Sequence, residues 1–458
     1  MNKNHYCVIM AGGVGSRFWP FSRESRPKQF LDILNTGRTL LQQTFDRFAR
    51  IIPTENILVV TNASYESLVC EQLPQLLPEN LLLEPFRRNT APCIAYAVSK
   101  ISLQNPSASM VVAPSDHRIV DEEAFLNIAS EILEATTKID GLFTVGIRPS
   151  RPETGYGYIQ IDSNGKSEKD NNSNRNIKDF LDSYPNFKKV KTFTEKPDYE
   201  MAKVFVESGE FFWNSGLFFW SVESITTAFR KFLPDIFSLF EEGKTLLNTP
   251  QEVSFINEIY PRCKNISIDY GVMEMADNVF VRCGDFGWSD LGTWGSIFEH
   301  LQKDGNGNHL SHPRMLTYNA SGNIIRSTND KCVVVEGLDN YIVVDTDNVL
   351  LICSLKNEQM IRQFVNDVKL NIGDEYIIQN LSPDIMNMNF PLQLVFRNPT
   401  ICLLINTQVC SIIIHAIHPA KLIILGGKFM RHLRNFCAMS QHISRRRFPS
   451  NPQGYNEF

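Results

Sequence analysis

Tyr6-Cys-Val-Ile-Met-Ala-Gly-Gly-Val-Gly-Ser-Arg17 passes from a short apolar run straight into glycines. Such a run predicts a buried strand, with a loop at its carboxyl end. Gly12, Gly13 and Gly15 carry no Cβ, so the backbone there is free to wrap closely round an anion and turn several N–H groups toward it. Arg17 and, after Arg26-Pro, Lys28 add two positive charges beside that cradle. A triphosphate asks for this combination, because its own charge repels an incoming phosphate nucleophile. Two other phosphate loops are excluded by spacing. No Lys-Ser or Lys-Thr follows the glycines, as a P-loop requires, and Phe18 stands where a dinucleotide fingerprint has its third glycine.

Outward from this loop, strand-like and helix-like segments alternate. Leu41, Thr44, Phe45, Phe48 and Ile52 fall at helical spacing within 38–52. Strands are predicted at 57–61, 81–84, 110–113, 142–147 and 279–283, and helices at 65–73, 91–103 and from Asp121. This predicts an α/β fold: a Rossmann-like domain over residues 1–303 with a mixed, mostly parallel central sheet. In such sheets ligands gather at the carboxyl ends of the strands. Residues 162–189 are polar and read as a mobile surface loop between strands at 158–161 and 190–194. Within 304–377 the pattern changes to short apolar runs separated by Asn-Ala-Ser-Gly, Gly-Leu-Asp-Asn and Asp-Thr-Asp-Asn. It predicts a small C-terminal β unit closed by a helix over about 358–368, with no long internal repeat.

The chain has 458 residues, too many for one ordinary core. Its net charge of −5 gives no general attraction for nucleic acid. That charge is uneven: eight basic and two acidic residues follow from Ile378, against 37 and 48 before it. The shift marks off 378–458 as a basic, apolar tail of no assigned role. Arg397 to Lys421 encloses no charge, yet Asn398, Asn406, Gln408, His415, His418 and Pro419 interrupt it, which argues against a membrane span. The N-terminus turns glycine-rich too soon for a secretory signal, so the expected location is cytoplasmic. The ten cysteines include no C-x-x-C pair, which argues against disulfide staples and a zinc site.

The compound pattern Ala11-Gly-Gly-x-Gly-x-Arg-x-x-Pro-x-Ser with Pro27-Lys-Gln-Phe resembles the sugar-nucleotide pyrophosphorylases, and among them the bacterial-type mannose-1-phosphate guanylyltransferases without the isomerase domain. The likeness recurs at separated motifs over roughly residues 5–370. It implies transfer of GMP from GTP to mannose 1-phosphate, with Mg²⁺ as cofactor and a homodimer as the family-level expectation. Ala11, Gly12, Gly13, Gly15, Arg17 and Lys28 then hold the nucleotide phosphates and offset charge in the transition state. Asp116, closing Val111-Val-Ala-Pro-Ser-Asp, and Asp290, in Gly284-Asp-Phe-Gly-Trp-Ser-Asp-Leu-Gly, match the family's metal-binding pair. Two carboxylates from distant strand ends suit Mg²⁺, which takes few protein ligands besides phosphates. A helix cap is the plainer use of either aspartate.

Leu83-Glu-Pro-Phe-Arg-Arg-Asn-Thr-Ala-Pro resembles the nucleotide-binding segment. Guanine presents N1–H and N2–H₂ as adjacent donors, which a carboxylate can accept together. Glu84 is therefore the candidate guanine reader, with Arg87, Asn89 and Thr90 nearby; Asn89-Thr-Ala-Pro also reads as a helix cap. The sugar half is implied by Gly155, Tyr156 and Gly157, by Glu195 and Lys196 in Thr-Glu-Lys-Pro, by Asn214 in Trp-Asn-Ser-Gly, and by Asp269. One departure stands out: Met275 occupies the position where the family usually has lysine. The same chemistry on another nucleotide or hexose, and a catalytically weak regulator that binds sugar nucleotides, are the other readings left open.

Overall fold

The computed structural model describes residues 1–162, 172–328 and 331–378, together with short strands between 395 and 413. Contacts divide the chain into a unit of Met1–Asn380 and a unit of Leu381–Phe458. In the second, Val395–Arg397 pairs with Thr400–Cys402 and Leu404–Thr407 with Cys410–Ile413, both antiparallel. The remainder of the predicted tail, including most of 397–421, lies outside the described residues. Among those described, no helix is long and apolar enough to cross a membrane.

The first unit is built on nine strands: β1 His5–Met10, β2 Ile57–Asn62, β3 Leu81–Glu84, β4 Ser109–Pro114, β5 Leu142–Ile147, β6 Gly157–Ile161, β7 Phe187–Glu195, β8 Phe211–Ser221 and β9 Val279–Gly284. Their order is β3-β2-β1-β4-β8-β5-β9-β7-β6. The β3-β2-β1-β4 half and the β5–β9 pair are parallel, while β8 runs antiparallel to β4, β5 and β6, and β7 antiparallel to β9 and β6. This is a mixed sheet in an α/β fold.

Strand periodicity separates the core into two layers. Tyr6, Val8, Val60, Met110, Val112 and Trp220 face one side and pack with helices Thr90–Gln104, Val222–Phe232 and Glu252–Ile259. Cys7, Ile9, Val59, Val111 and Phe219 face the other, with helices Leu40–Phe48 and Glu122–Ala135. Helix starts are specified locally. Thr39 and Gln42 form a capping box, and Asp121 accepts from the Ala124 N–H at 2.9 Å.

The predicted loop at 162–189 needs correction. Residues 163–171 lie outside the described set, but Asn172–Ser183 is helical and β7 begins at Phe187. Phe180 is 6% exposed and lies 5.4 to 6.1 Å, ring to ring, from Phe143, Phe187 and Phe280. Burial of that aromatic set overrides the polar local composition. Of the described cysteines, Cys7, Cys93, Cys263 and Cys353 are buried and Cys70 and Cys332 exposed, all as free thiols.

Beyond the main sheet the backbone coils. His309–Leu310, Ile324–Ser327 and Tyr341–Asp345 stack in parallel, as do Met315–Tyr318 and Val333–Glu336. Asparagines pin the turns: Asn323 donates to Asn308 Oδ1 at 2.9 Å and accepts from the Tyr341 N–H at 2.8 Å. A 3₁₀ turn, Leu355–Met360, leads into the closing helix Ile361–Asn371. Ile324, Ile342, Ile361 and Val365 share a core with Phe18, Trp19, Leu291 and Trp294, so the coil packs directly beneath the segment that follows the glycine loop.

Candidate active site

The glycine loop leaves β1 at the sheet's carboxyl edge, between the ends of β2 and β4. Gln29, 2% exposed, shapes it by donating to the Ala11 and Gly13 carbonyls, both at 2.9 Å. Gly15 has φ +66°, and a Cβ there would lie 2.7 Å from Lys28 Cβ, so only glycine fits. A Cβ on Gly13 would meet nothing within 4 Å, which leaves room in front of the backbone.

Lys28, 3% exposed, carries its ammonium into the junction of three segments. Nζ lies 2.9 Å from Asp116 Oδ2 and donates to the Asp290 carbonyl at 2.7 Å and the Leu291 carbonyl at 3.0 Å. Its three hydrogens thus have protein acceptors, and it ties the β4 end to the loop after β9. Burial alone would raise the Asp116 carboxyl, but the Lys28 charge and hydrogen bond, with His117, hold it below the ordinary carboxylate value. His117 Nδ1 accepts from Trp288 Nε1 at 3.2 Å, making it a packing neighbour. Asp290 Oδ1 accepts from Tyr156 Oη at 2.7 Å and from the Gly292 N–H at 2.8 Å. Arg17 Nη1 reaches the Gly292 carbonyl at 3.4 Å, while its buried Nε has no partner among the described residues.

Tyr156 joins this junction to a second cluster. Its ring meets Trp213 and Trp288 edge-on at 5.1 and 5.3 Å. Gly157 pairs with Glu195 across β6 and β7, and a Cβ there would collide with Glu195 Oε2 and lie 3.3 Å from Asn214 Cβ. The Glu195 side chain is 9% exposed and pairs with Lys196, which is 59% exposed and holds φ +49°. Asn214 donates to Asp269 Oδ1 at 2.9 Å and accepts from Thr144 Oγ1 at 3.1 Å. Burial, helped by the Glu195 charge, pushes the Asp269 carboxyl up to about 7. Gly155, Tyr156, Gly157, Glu195, Lys196, Asn214 and Asp269 therefore form one neighbourhood. Met275 sits apart from these contacts, 62% exposed.

The third group follows β3. Glu84, 5% exposed, lies under Gly12: a Cβ on that glycine would be 3.4 Å from its Oε2. Tyr260 Oη donates to Glu84 Oε1. Burial raises the Glu84 carboxyl to about 7, against the lowering by Tyr260 and Arg87. Arg87 donates to Tyr65 Oη at 2.5 Å. Asn89, at φ +66°, caps helix Thr90–Gln104 through the Thr90 N–H, and Thr90 Oγ1 accepts from the Ile268 N–H at 2.8 Å. That last bond links this group to the segment bearing Asp269.

Residues 6–307 match the nucleotidyl transferase family. A mannose-1-phosphate guanylyltransferase of Escherichia coli is 35% identical over 372 residues, 81% of this chain and 75% of the relative. The chain belongs to the mannose-1-phosphate guanylyltransferase family. The xanthan biosynthesis protein XanB of Xanthomonas campestris is 33% identical over 79% of this chain and 73% of its own length. A solved structure described as a mannose-1-phosphate geranyltransferase, from Thermus thermophilus, superimposes with TM-score 0.67 at 30% identity, covering 80% of this chain and 99% of that one. Nucleotidyl transferases of this kind generally use a divalent metal. In this guanylyltransferase-family chain, no cluster of three or more His, Cys, Asp or Glu suited to a metal occurs among the described residues. The Asp116–Asp290 pair fits a hard cation nonetheless. Both are half-buried, Lys28 offsets the Asp116 charge but meets Asp290 only at its backbone carbonyl, and Asp290 Oδ2 has no donor among the described residues.

Sequence reasoning missed Gln29 and Tyr260 as parts of the site. Gln29 lies in the Pro27-Lys-Gln-Phe motif, but its burial behind the glycines shows only in the structure. Tyr260 reaches Glu84 across 176 positions, with no local trace.

Proposed function

We propose that the chain transfers GMP from GTP to mannose 1-phosphate, releasing GDP-mannose and pyrophosphate, with Mg²⁺ as the divalent ion. The observation that supports this most is the continuity of the two halves. Lys28 ties the glycine-loop side to Asp116 and to the Asp290 loop, and Tyr156 ties Asp290 to the sugar-side cluster. A mannose 1-phosphate oxygen attacks the α-phosphorus of GTP in line, and the bond to pyrophosphate breaks as the new P–O bond forms. The nucleophile is already an anion, so no general base is needed. The protein's task is to position two anions and offset their repulsion.

The backbone from Ala11 to Gly15, with Arg17, takes the triphosphate; Lys28, its hydrogens already on Asp116 and the Asp290 and Leu291 carbonyls, adds its charge behind the loop; and Glu84, Arg87, Asn89 and Thr90 form the base side. Gly155, Tyr156, Gly157, Glu195, Asn214 and Asp269 take the hexose, with Lys196 on its phosphate. Asp116 and Asp290 would hold Mg²⁺, which when bound neutralises phosphate charge and aligns the two substrates. The nucleotidyltransferase domain spans residues 1–303, with 304–377 as a β-rich neighbour, and 378–458 has no assigned role. Free thiols such as Cys7 and Cys93 suit a reducing, cytoplasmic setting.

Pyrophosphate release with Mg²⁺ and mannose 1-phosphate, comparing GTP with ATP, UTP, CTP and dTTP, tests the reading. Release is expected with GTP above the others, and Asp116→Ala should abolish it. Equal or greater release with another nucleotide would reassign the base. Tight GDP-mannose binding without turnover would favour the regulator.

A further inference from the structure

A cleft of about 340 Å³ opens between the two halves of the site, lined by Arg17, Glu153, Thr154, Gly155, Lys196, Gln359 and Arg362. Gln359 and Arg362 come from near the end of the first unit, on the 3₁₀ turn and helix that close the coil. We propose that Arg362 is a further anion-binding residue of this site, gripping the pyrophosphate end of the nucleotide together with Arg17; this rests on the function proposed above.

Three cations line the cleft against one carboxylate, and that carboxylate is engaged elsewhere. Glu153 Oε1 accepts from the Gly155 N–H at 3.1 Å, and Oε2 lies 3.6 Å from Arg151. Neither Arg17 nor Arg362 has an ion-pair partner among the described residues, and Arg17 Nε is buried without an acceptor. Glu358, on the same turn, is held by the Gly295 N–H at 2.7 Å and feels the Arg17 charge without forming an ion pair with it. Burial and the Arg17 charge lower the Arg362 guanidinium from its ordinary value, so the two arginines feel each other. Like charges held together at the mouth of a cleft are stabilised when a polyanion enters.

The placement is built into the fold. Ile361, fully buried, and Val365 anchor the helix in the core that also contains Phe18 and Trp294. The position of Arg362 is therefore set by the same packing that sets the segment carrying Arg17. Lys196 and Gly155 mark the sugar side of the cleft, which leaves the Arg17–Arg362 side to the departing pyrophosphate.

The test uses the full chain and its Arg362→Ala, Arg362→Gln and Arg362→Lys forms, in the reverse reaction from GDP-mannose and pyrophosphate. Arg362→Ala and Arg362→Gln should raise KM for pyrophosphate about tenfold to a hundredfold, the loss of charge-assisted bonds. KM for GDP-mannose should stay within about twofold, and Arg362→Lys should recover part of the effect. Direct calorimetric titration with inorganic pyrophosphate should show the same ranking. Unchanged pyrophosphate affinity, a parallel rise in both KM values, or a rise confined to mannose 1-phosphate in the forward direction would each overturn the assignment. If the unaltered chain makes no GTP from these substrates, the proposed function fails, while the pyrophosphate titration still decides the role of Arg362.

Discussion

At Glu84 a carboxylate is held where water scarcely reaches, against Tyr260 and beneath the glycine loop. Its carboxyl rises from 4.5 to about 7, chiefly by burial. An unfolded chain therefore loses this proton before the native one does. The contribution to stability is complete below about 4.5 and is lost as pH rises through about 7. Glu84→Gln keeps an acceptor for the Tyr260 hydroxyl and removes the ionisation. The variant should gain on the parent chain between pH 5 and pH 8, by up to about 3 kcal/mol. Denaturant unfolding of both ligand-free proteins at the two pH values reads this directly. Asp269, raised to about 7 as well, titrates in both proteins and cancels in the difference. A constant gap between the proteins at both pH values would mean that Glu84 ionises normally in the fold.

Among elements, the glycine loop owes its shape to Gln29 as well as to the left-handed Gly15. Its two bonds, to the Ala11 and Gly13 carbonyls, fix the backbone beside the open space before Gly13. Gln29→Leu keeps the size and removes both donors. Thr61 Oγ1 still donates to the Ala11 carbonyl at 2.9 Å, so the loss falls on the Gly13 carbonyl: it should cost about 1–3 kcal/mol of stability and raise KM for GTP, with KM for mannose 1-phosphate little changed. Thermal unfolding and separate KM determinations check the two parts. The loop's position was legible because an apolar run meets glycines there, and β1 to β5 were legible from the same alternation. The helix Asn172–Ser183 was not, although Ile177, Phe180, Leu181 and Tyr184 share one helical face, because polar residues surround them. Nor was the stacking of the coil, whose marker is a spaced asparagine, Asn308 and Asn323, rather than an apolar repeat. Arg362 was beyond reach, since its site neighbours lie hundreds of residues away and only the packing of Ile361 and Val365 brings it to them.

Over the whole first unit, the segment between the glycine loop and Lys28 lies clamped between the sheet domain and the coil. Trp19 Nε1 donates to the Tyr376 carbonyl at 2.9 Å, and Arg23 reaches Thr346 at 3.0 Å and Asn348 at 2.6 Å. The buried Arg326 of the coil donates to the Ile33 carbonyl at 2.5 Å and to Asn35 at 3.2 Å. Fully buried Trp294 stands at the centre, 5.5 Å from Phe18 and in one core with Ile324, Ile342 and Ile361. Neither part keeps a closed apolar surface without the other, so both should unfold in a single cooperative transition. Trp294→Ala should lower that transition by about 3–5 kcal/mol without splitting it. It should also weaken GTP turnover, although Trp294 itself makes no contact with the cleft, because Arg17 and Arg362 are both seated on this core. Calorimetry of the full chain, followed alongside tryptophan fluorescence, measures this. Two separate transitions within the first unit of the unaltered protein would make the coil an independent domain and detach its closing helix from the catalytic half.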